Sequence, residues 1–130
     1  MGVGSLPLSS YALFDPAPLD QMARDVDTAT VSQLVATALR DIPRRYAELL
    51  KSWEEKNWPE MHRHAHSLKG AAGSCGLPRV AELMRQIEHC AQQQAPEAEQ
   101  TDVEKRAAHL LAEAAGIMLP SLTALRGYGG

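Results

Sequence analysis

The chain of 130 residues is the length of one domain, and its 45% hydrophobic content is enough for one continuous core. Its formal net charge of −3 gives no broad positive field, so nucleic-acid binding is not expected. Aromatic residues make up only 5% of the chain, and β-branched residues are scarce while Ala and Leu are plentiful. This composition favours an all-α fold.

Cysteine content and hydropathy indicate the cellular compartment in which we expect the protein. Cys75 and Cys90 fall at core-like helical positions without a partner at metal-ligand spacing, which is typical of reduced, buried thiols in a cytoplasmic protein. No run approaches the roughly 18 apolar residues of a membrane span, and the first residues lack the features of a signal peptide. We therefore expect a soluble chain without direct membrane contact. A domain cut from a longer, membrane-anchored sensor would look the same.

The N-terminal part has the least regular pattern. Residues 1–14 mix glycine, serine and apolar residues without a period, which predicts a disordered leader. Asp15-Pro16-Ala17-Pro18 is a helix-start signal. Apolar residues at helical spacing follow it: Leu19, Met22, Ala23 and Val26. They predict a short first helix that covers the bundle.

A long second helix is predicted from Thr30 to about residue 56. Thr30-Val31-Ser32-Gln33 has the form of a capping box at its start. An apolar stripe with three-to-four spacing follows: Leu34, Ala38, Ile42, Tyr46, Leu49 and Trp53. Pro43 lies inside this stripe, and because the apolar register continues through it we expect one bent helix.

Two further helices form a predicted antiparallel hairpin. The third runs from about 58 to 75, with Asn57 suited to its N-cap and Gly76 suited to a left-handed residue at its end. After the turn at Leu77-Pro78, apolar residues mark the fourth helix: Val80, Leu83, Met84, Ile87, Cys90 and Ala91. Gln92 to Pro96 is a polar break.

The fifth helix is predicted to begin between Glu97 and Thr101. Its apolar stripe is long: Val103, Ala107, Leu110, Leu111, Ala114, Met118 and Leu122. Residues 126–130 are glycine-rich and predict a disordered tail. Together the elements predict, over residues 15–125, an antiparallel up-down-up-down four-helix bundle with a short extra N-terminal helix.

The third helix carries two different faces. At about 100° per residue, one side holds only apolar or small residues: Met61, Ala65, Leu68, Ala72 and Cys75. His66, Lys69, Gly70 and Gly73 fall together on the opposite side. Each interior glycine costs roughly 1 kcal/mol relative to alanine, so we interpret the two glycines as giving another molecule close access to His66.

These residues resemble a known family. Ala65-His66-Ser67-Leu68-Lys69-Gly70, followed by Gly76, Leu83 and Ile87-Glu88, is similar to the signature of histidine-containing phosphotransfer (HPt) domains. The resemblance is strongest over residues 57–90. It implies a four-helix-bundle module of multistep two-component phosphorelays, which acts as a phosphocarrier without independent turnover.

The resemblance also implies roles for individual residues. His66 would accept a phosphoryl group on a ring nitrogen from the phospho-aspartate of a response-regulator receiver domain and pass it to the aspartate of another receiver. Lys69 would compensate the phosphate charge, Gly70 and Gly73 would admit the receiver, and Glu88 would orient the imidazole. No cofactor is implied for this domain, since Mg²⁺ is expected in the partner receiver. We expect a monomer, either free-standing or part of a hybrid sensor histidine kinase.

The fourth helix also carries two basic residues near the predicted turn. Arg79 and Arg85 are candidates for the rim of the docking surface.

Two alternative functions remain open. One is the phospho-accepting substrate domain of a chemotaxis-type histidine kinase, phosphorylated from ATP by a separate catalytic domain. The other is a non-catalytic helical adaptor or metal-binding bundle, because His62 and His66 have a spacing that can hold Zn²⁺, although third and fourth ligands are not evident. We interpret His62 as tuning the charge around His66, His64 as a hydrogen-bonded packing residue, and His89 and His109 as solvated.

Overall fold

Every regular element that the structure describes is helical. The computed structural model describes residues 7–93 and 97–128, with side chains excepted at 97–100. A 3₁₀ turn is followed by five α-helices: Leu8–Ser10, then α1 (Ala17–Asp25), α2 (Thr28–Glu54), α3 (Trp58–Ser74), α4 (Pro78–Gln92) and α5 (Glu97–Arg126). The prediction of an all-α helical bundle is confirmed.

The predicted apolar stripes of α2 to α5 meet in one core. In α3, Met61, Ala65 and Leu68 are buried, and burying one large aliphatic side chain contributes about 1.5–3 kcal/mol. Cys75 and Cys90 are buried free thiols, as predicted, and burial raises the pKa of both. The buried stripe of α3 holds the backbone of the opposite face in place.

α3 and α4 pack more extensively on each other than any other pair of helices. The turn between them contains Gly76, whose φ of 76° is the predicted left-handed conformation. Trp58 at the start of α3 lies beside Gln92 at the end of α4. At the other end of the pair, Gly73 lies beside Glu82. The two helices are therefore antiparallel.

α2 packs on the other side of α3, and α5 packs against α4 and α2. At the turn into α3, the Asn57 N–H donates to the Ser52 carbonyl at 2.9 Å. The Asn57 side chain caps α3 by accepting from the Glu60 N–H at 3.2 Å, as predicted. Between α4 and α5, the Cys90 thiol donates to the Val103 carbonyl at 3.4 Å.

The predicted start of α2 is wrong by two residues. The helix begins at Thr28 because Asp27 is its N-cap, and the Asp27 carboxylate accepts from the Thr30 N–H at 2.6 Å. That hydrogen bond lowers the pKa of Asp27. The capping-box pattern at Thr30 predicted the wrong start because the side chain of Asp27 already accepts from a free N–H group in the first turn of the helix. α2 continues through Pro43, as the unbroken stripe predicted.

Residues 7–14 are not the disordered leader that the sequence predicted. Leu8 and Phe14 pack against the core, and the Arg79 guanidinium of α4 donates to the Tyr11 carbonyl at 2.8 Å. Separate apolar contacts and hydrogen bonds to backbone carbonyls hold this segment in place. Because neither produces a helical periodicity in the sequence, the order of the segment could not be predicted from the pattern. Residues 1–6 of the predicted leader lie outside the described residues.

The predicted disordered tail is also wrong at 126–128. The Tyr128 ring meets Phe14 edge-on with centroids 6.1 Å apart. Its hydroxyl donates to the Asp20 carboxylate at 2.7 Å, which ties the end of α5 to α1. Residues 129 and 130 lie outside the described residues.

Part of α5 is long and apolar enough to cross a membrane by length and composition. A window of 18 residues within Thr101–Arg126 has a mean hydropathy of 1.3. We missed this stretch because alanines and interspersed polar residues, rather than an unbroken apolar run, give it that average. Of the apolar window, 39% is buried in the bundle, and the core helix of a soluble protein passes the same test.

Candidate functional site

His66 lies on the outer face of α3, opposite the buried stripe. Its side chain is 64% exposed. Gly70 and Gly73 lie on the same face, and a Cβ added at either would meet nothing within 4 Å. Packing therefore does not require glycine at these two positions, and the backbone around His66 is open to an approaching molecule.

The carboxylate of Glu88 on α4 joins three side chains of α3. Its Oε2 lies 2.8 Å from His66 Nδ1, and its Oε1 lies 2.7 Å from Lys69 Nζ. His62 Nε2 lies 3.4 Å from Oε2. The Glu88 side chain is only 14% exposed, so the carboxylate is held between the two helices. The register of the hairpin brings together His66 and Glu88, which are 22 positions apart.

The ionisation of Glu88 determines which nitrogen of His66 carries a proton. Burial raises the pKa of Glu88, but hydrogen bonds from Lys69 and His66 outweigh it and hold that pKa below its usual value. The carboxylate is therefore ionised at neutral pH. Because an ionised carboxylate only accepts, His66 Nδ1 carries the hydrogen, and in a neutral imidazole the lone pair lies at Nε2. Among the described residues none makes a hydrogen bond to Nε2.

The structure places Lys69 one turn from His66 but pairs it with Glu88. Its side chain is 35% exposed, with the ammonium 2.7 Å from the carboxylate. The spacing of the sequence predicted that Lys69 and His66 share a face. That spacing contained no information that a single carboxylate would contact both Lys69 and His66. The charges of Lys69 and Glu88 offset each other beside the His66 ring.

His62 lies next to His66 on the same face. The two rings are nearly parallel, at 9°, with centroids 6.4 Å apart. Within residues 7–93 and 97–128, no group of three His, Cys, Asp or Glu side chains is arranged to hold a metal ion. His62 thus lies beside both the His66 ring and the Glu88 carboxylate.

The other histidines lie where the sequence predicted. His64 is buried, with Nδ1 3.4 Å from the Arg45 guanidinium and Nε2 3.6 Å from the Glu60 carboxylate. His89 and His109 are exposed. None of these three histidines contacts Glu88, whereas His66 combines an exposed side chain with a contact of 2.8 Å to that carboxylate.

Clefts lie on both sides of the His66 face. One of about 210 Å³ lies between α2 and α3 and includes Gly70. Another of about 330 Å³ lies beside α3, α4, the start of α1 and the N-terminal segment, by which we mean residues 7–16, and includes Lys69 and Gly73. A larger cleft of about 600 Å³ between α1 and α2 contains no predicted site residue. His66 lines none of these three clefts, so its surroundings suit contact with a protein surface rather than enclosure of a small ligand.

The two candidate rim residues have different surroundings. Arg79 binds the N-terminal segment, through Nε to the Tyr11 carbonyl and through its backbone N–H to the Ala12 carbonyl at 3.2 Å. Arg85 pairs with Glu82 at 2.6 Å on the outside of α4. Sequence reasoning missed the anchoring role of Arg79 because its partners are backbone carbonyls, which carry no residue-type signal.

The fold and the site define a helical-bundle module that presents one exposed, oriented imidazole. In the comparison with protein families, the Hpt domain model matches residues 33–118. The match covers more than half of the chain, which therefore belongs to the Hpt domain family. The resemblance read from the sequence is confirmed. No curated protein and no solved structure matches the chain.

Membership of this family establishes the class of function. Hpt domains carry out histidine phosphotransfer in two-component phosphorelays, act as phosphocarriers and interact with response-regulator receiver domains. The matched residues include the whole α3–α4 hairpin. They do not include the N-terminal segment or α1, which lie before residue 33.

Proposed function

We propose that His66 is the phospho-acceptor of this domain. It receives a phosphoryl group from the phospho-aspartate of one receiver domain and passes it to the aspartate of another. The observation that carries the proposal is an imidazole 64% exposed whose Nδ1 lies 2.8 Å from the Glu88 carboxylate, so that Nε2 is the ring nitrogen left to react. A neutral imidazole is a competent nucleophile without a dedicated base.

In the proposed step, the Nε2 lone pair forms a bond to phosphorus while the bond from phosphorus to the aspartate oxygen breaks. The aspartate leaves as a carboxylate. Because the ring gains positive charge as the new bond forms, the Nδ1–H contact to the Glu88 carboxylate becomes stronger and stabilises the transition state. The reverse step transfers the phosphoryl group to the second receiver.

Lys69, Gly70 and Gly73 support this chemistry in the proposal. Lys69 compensates the charge of the phosphoryl oxygens, and to reach them its ammonium moves from Glu88 or is shared with them. Two unit charges 4 Å apart interact by about 1 kcal/mol in water and about 4 kcal/mol at an effective dielectric near 20. The effect of Lys69 is therefore largest once a docked receiver excludes water. The two glycines let the loops of the receiver reach the backbone of α3.

We further propose that the domain is a monomeric cytoplasmic phosphocarrier without independent turnover. Phosphoryl transfer needs mainly positioning and charge compensation, and a receiver with its bound Mg²⁺ supplies what the α3–α4 face does not. The domain itself is proposed to need no cofactor. It would act either alone or within a hybrid sensor histidine kinase.

Transfer of label from a radiolabelled phospho-receiver to the purified domain tests the acceptor. We expect acid-labile, base-stable labelling of the wild type at Nε2 and none of His66→Gln. His109→Gln, which alters an exposed histidine on α5, is the matched control and should be labelled like the wild type. Labelling of His66→Gln at the wild-type level would show that another residue accepts the phosphoryl group.

The same assay separates the chemotaxis-type alternative, because the two functions differ in their donor. A relay intermediate is labelled by the phospho-receiver and not by ATP with a histidine-kinase catalytic domain of the chemotaxis type. The reverse result would replace our proposal with the kinase-substrate function.

A further inference from the structure

We propose that His62 takes up a proton when His66 is phosphorylated, and that this proton makes the phosphotransfer equilibrium of the domain depend on pH. The inference rests on the proposed function and adds to it a positioning residue and a means of regulation. It follows from the way in which three side chains of α3 share one carboxylate, that of Glu88. No step of the proposed transfer uses His62.

His62, His66 and Lys69 lie on successive turns of α3 and converge on the Glu88 carboxylate. The contacts made by His66 and Lys69 are short, at 2.8 Å and 2.7 Å. His62 Nε2 lies 3.4 Å from the carboxylate oxygen that His66 contacts. The contact of His62 is therefore the longest of the three, because Glu88 already has two closer partners.

Phosphorylation draws one of the closer partners away from Glu88. In the proposed function, the ammonium of Lys69 moves to the phosphoryl oxygens or is shared with them. The carboxylate then keeps its contact with His66 Nδ1 but loses part of the positive charge that offset its own. The phosphoryl group brings further negative charge to the same face. An excess of negative charge favours the protonated form of a neighbouring imidazole.

His62 is placed to supply the positive charge that Glu88 then lacks. Its ring lies nearly parallel to that of His66, at 9°, with centroids 6.4 Å apart. Salt screens charges over about 8 Å at physiological ionic strength, so the two rings are close enough to interact. Histidine is the side chain that ordinarily changes its charge between about pH 5 and pH 8. The proton comes from solvent and adds to the unprotonated ring nitrogen, and the charged ring forms an ion pair with Glu88.

The surroundings of His62 leave few other groups to control its charge. Its side chain is 35% exposed, so solvent reaches the ring. The titratable group beside it on α3 is His66, and the one that faces it from α4 is Glu88. It lines a cleft of about 310 Å³ whose other lining residues are Trp58, Pro59, Ala91 and Gln92. None of these four residues has a side chain that gains or loses a proton in the physiological range.

Proton uptake links the pH to the phosphotransfer equilibrium. If the phosphorylated domain binds one more proton than the free domain, it is favoured as the pH falls, and the coupling is equal in both directions. Two unit charges about 4 Å apart in water change an equilibrium constant about fivefold. We therefore expect His62 to shift the equilibrium between phospho-receiver and phospho-domain about fivefold toward the domain from about pH 8 to pH 6.

The first test measures this equilibrium across that range in wild type, His62→Gln and His62→Lys. Glutamine is always neutral, so its variant should lack the fivefold shift and carry a smaller phosphorylated fraction at the acid end. Lysine stays positive, so its variant should carry at the alkaline end the larger fraction that wild type reaches only at the acid end. His66 and the groups of the receiver titrate in every sample, so the differences between variants isolate position 62. His109→Gln, which removes an imidazole paired with Glu113 at 2.7 Å, is the control and should match wild type.

A measurement on the wild type does not depend on how a variant folds. Ring nitrogen NMR signals report the protonated fraction of each histidine at neutral pH. After transfer from a phospho-receiver, we expect the ratio of protonated to neutral rings to rise about fivefold at His62 and to stay the same at His109. If His66 is phosphorylated while His62 keeps its protonation state, or if His62→Gln shows the wild-type dependence on pH, the inference is wrong and the proposed function stands. If no phosphoryl group reaches His66, the proposed function fails and the inference with it.

Discussion

The two faces of α3 share one backbone but are determined by different requirements. On the inner face, Ala65 and Leu68 are buried and contact the other helices. On the outer face, His66 is exposed, and Gly70 has open space where a side chain would fit. The inner face is closely packed, whereas the glycines of the outer face lower helix stability, which we propose gives a receiver access to His66. Substitutions on the inner face should therefore mainly reduce stability, whereas substitutions on the outer face should mainly reduce phosphotransfer.

The largest effect on stability is expected on the inner face. Leu68→Ala removes a fully buried side chain and leaves a cavity, so we expect the free energy of unfolding to fall by about 2–5 kcal/mol. Urea denaturation measures this change. Under conditions in which the variant remains folded, its transfer rate should stay within about twofold of wild type. A loss of transfer in fully folded protein would contradict the separation of the two faces.

A smaller stability effect, of opposite sign, is expected on the outer face. Gly70→Ala meets no neighbouring atoms and should stabilise the helix by about 1 kcal/mol. We expect it to reduce phosphotransfer, because the added methyl group lies where a receiver approaches His66. Gly116→Ala in α5 is the matched control, since its Cβ also meets nothing within 4 Å. It should give the same stabilisation with unchanged transfer, and a Gly70→Ala variant that transfers normally would refute the access argument.

The smallest effect concerns the carboxylate that connects α3 to α4. The pKa of Glu88 is lower in the folded state than its usual value of 4.5, so the folded state binds the proton less readily than the unfolded state. Its contribution to stability is therefore complete above about pH 4.5 and is lost as the pH falls through the lowered pKa.

Glu88→Gln isolates this contribution. Thermal melting of the variant and the wild type from pH 7 to pH 3 should show a difference in midpoint of a few degrees at neutral pH that shrinks below about pH 4.5. Other acids with lowered pKa, such as Glu82, titrate in both proteins and cancel in the comparison. A difference that stays constant to pH 3 would show that the charge of Glu88 does not stabilise the hairpin.

Helical periodicity made the central part of the protein predictable. The buried stripe of α3, the cap at Asn57 and the left-handed Gly76 all depend on spacing or on the conformational preference of one residue, which are local properties. The predictions were wrong where distant partners decide the structure. Tyr128 reaches Asp20 across 108 positions, and no local pattern predicts that contact.

The sequence by itself determined which side chains share the outer face of α3, because an angle of 100° per residue is a property of the backbone alone. Only the tertiary structure decided that Glu88 contacts both His66 and Lys69, and thereby which ring nitrogen carries the lone pair. Only the tertiary structure, too, attached residues 11–15 to the hairpin turn. Both outcomes depend on how two elements sit against each other, which is set by the packing of the whole core.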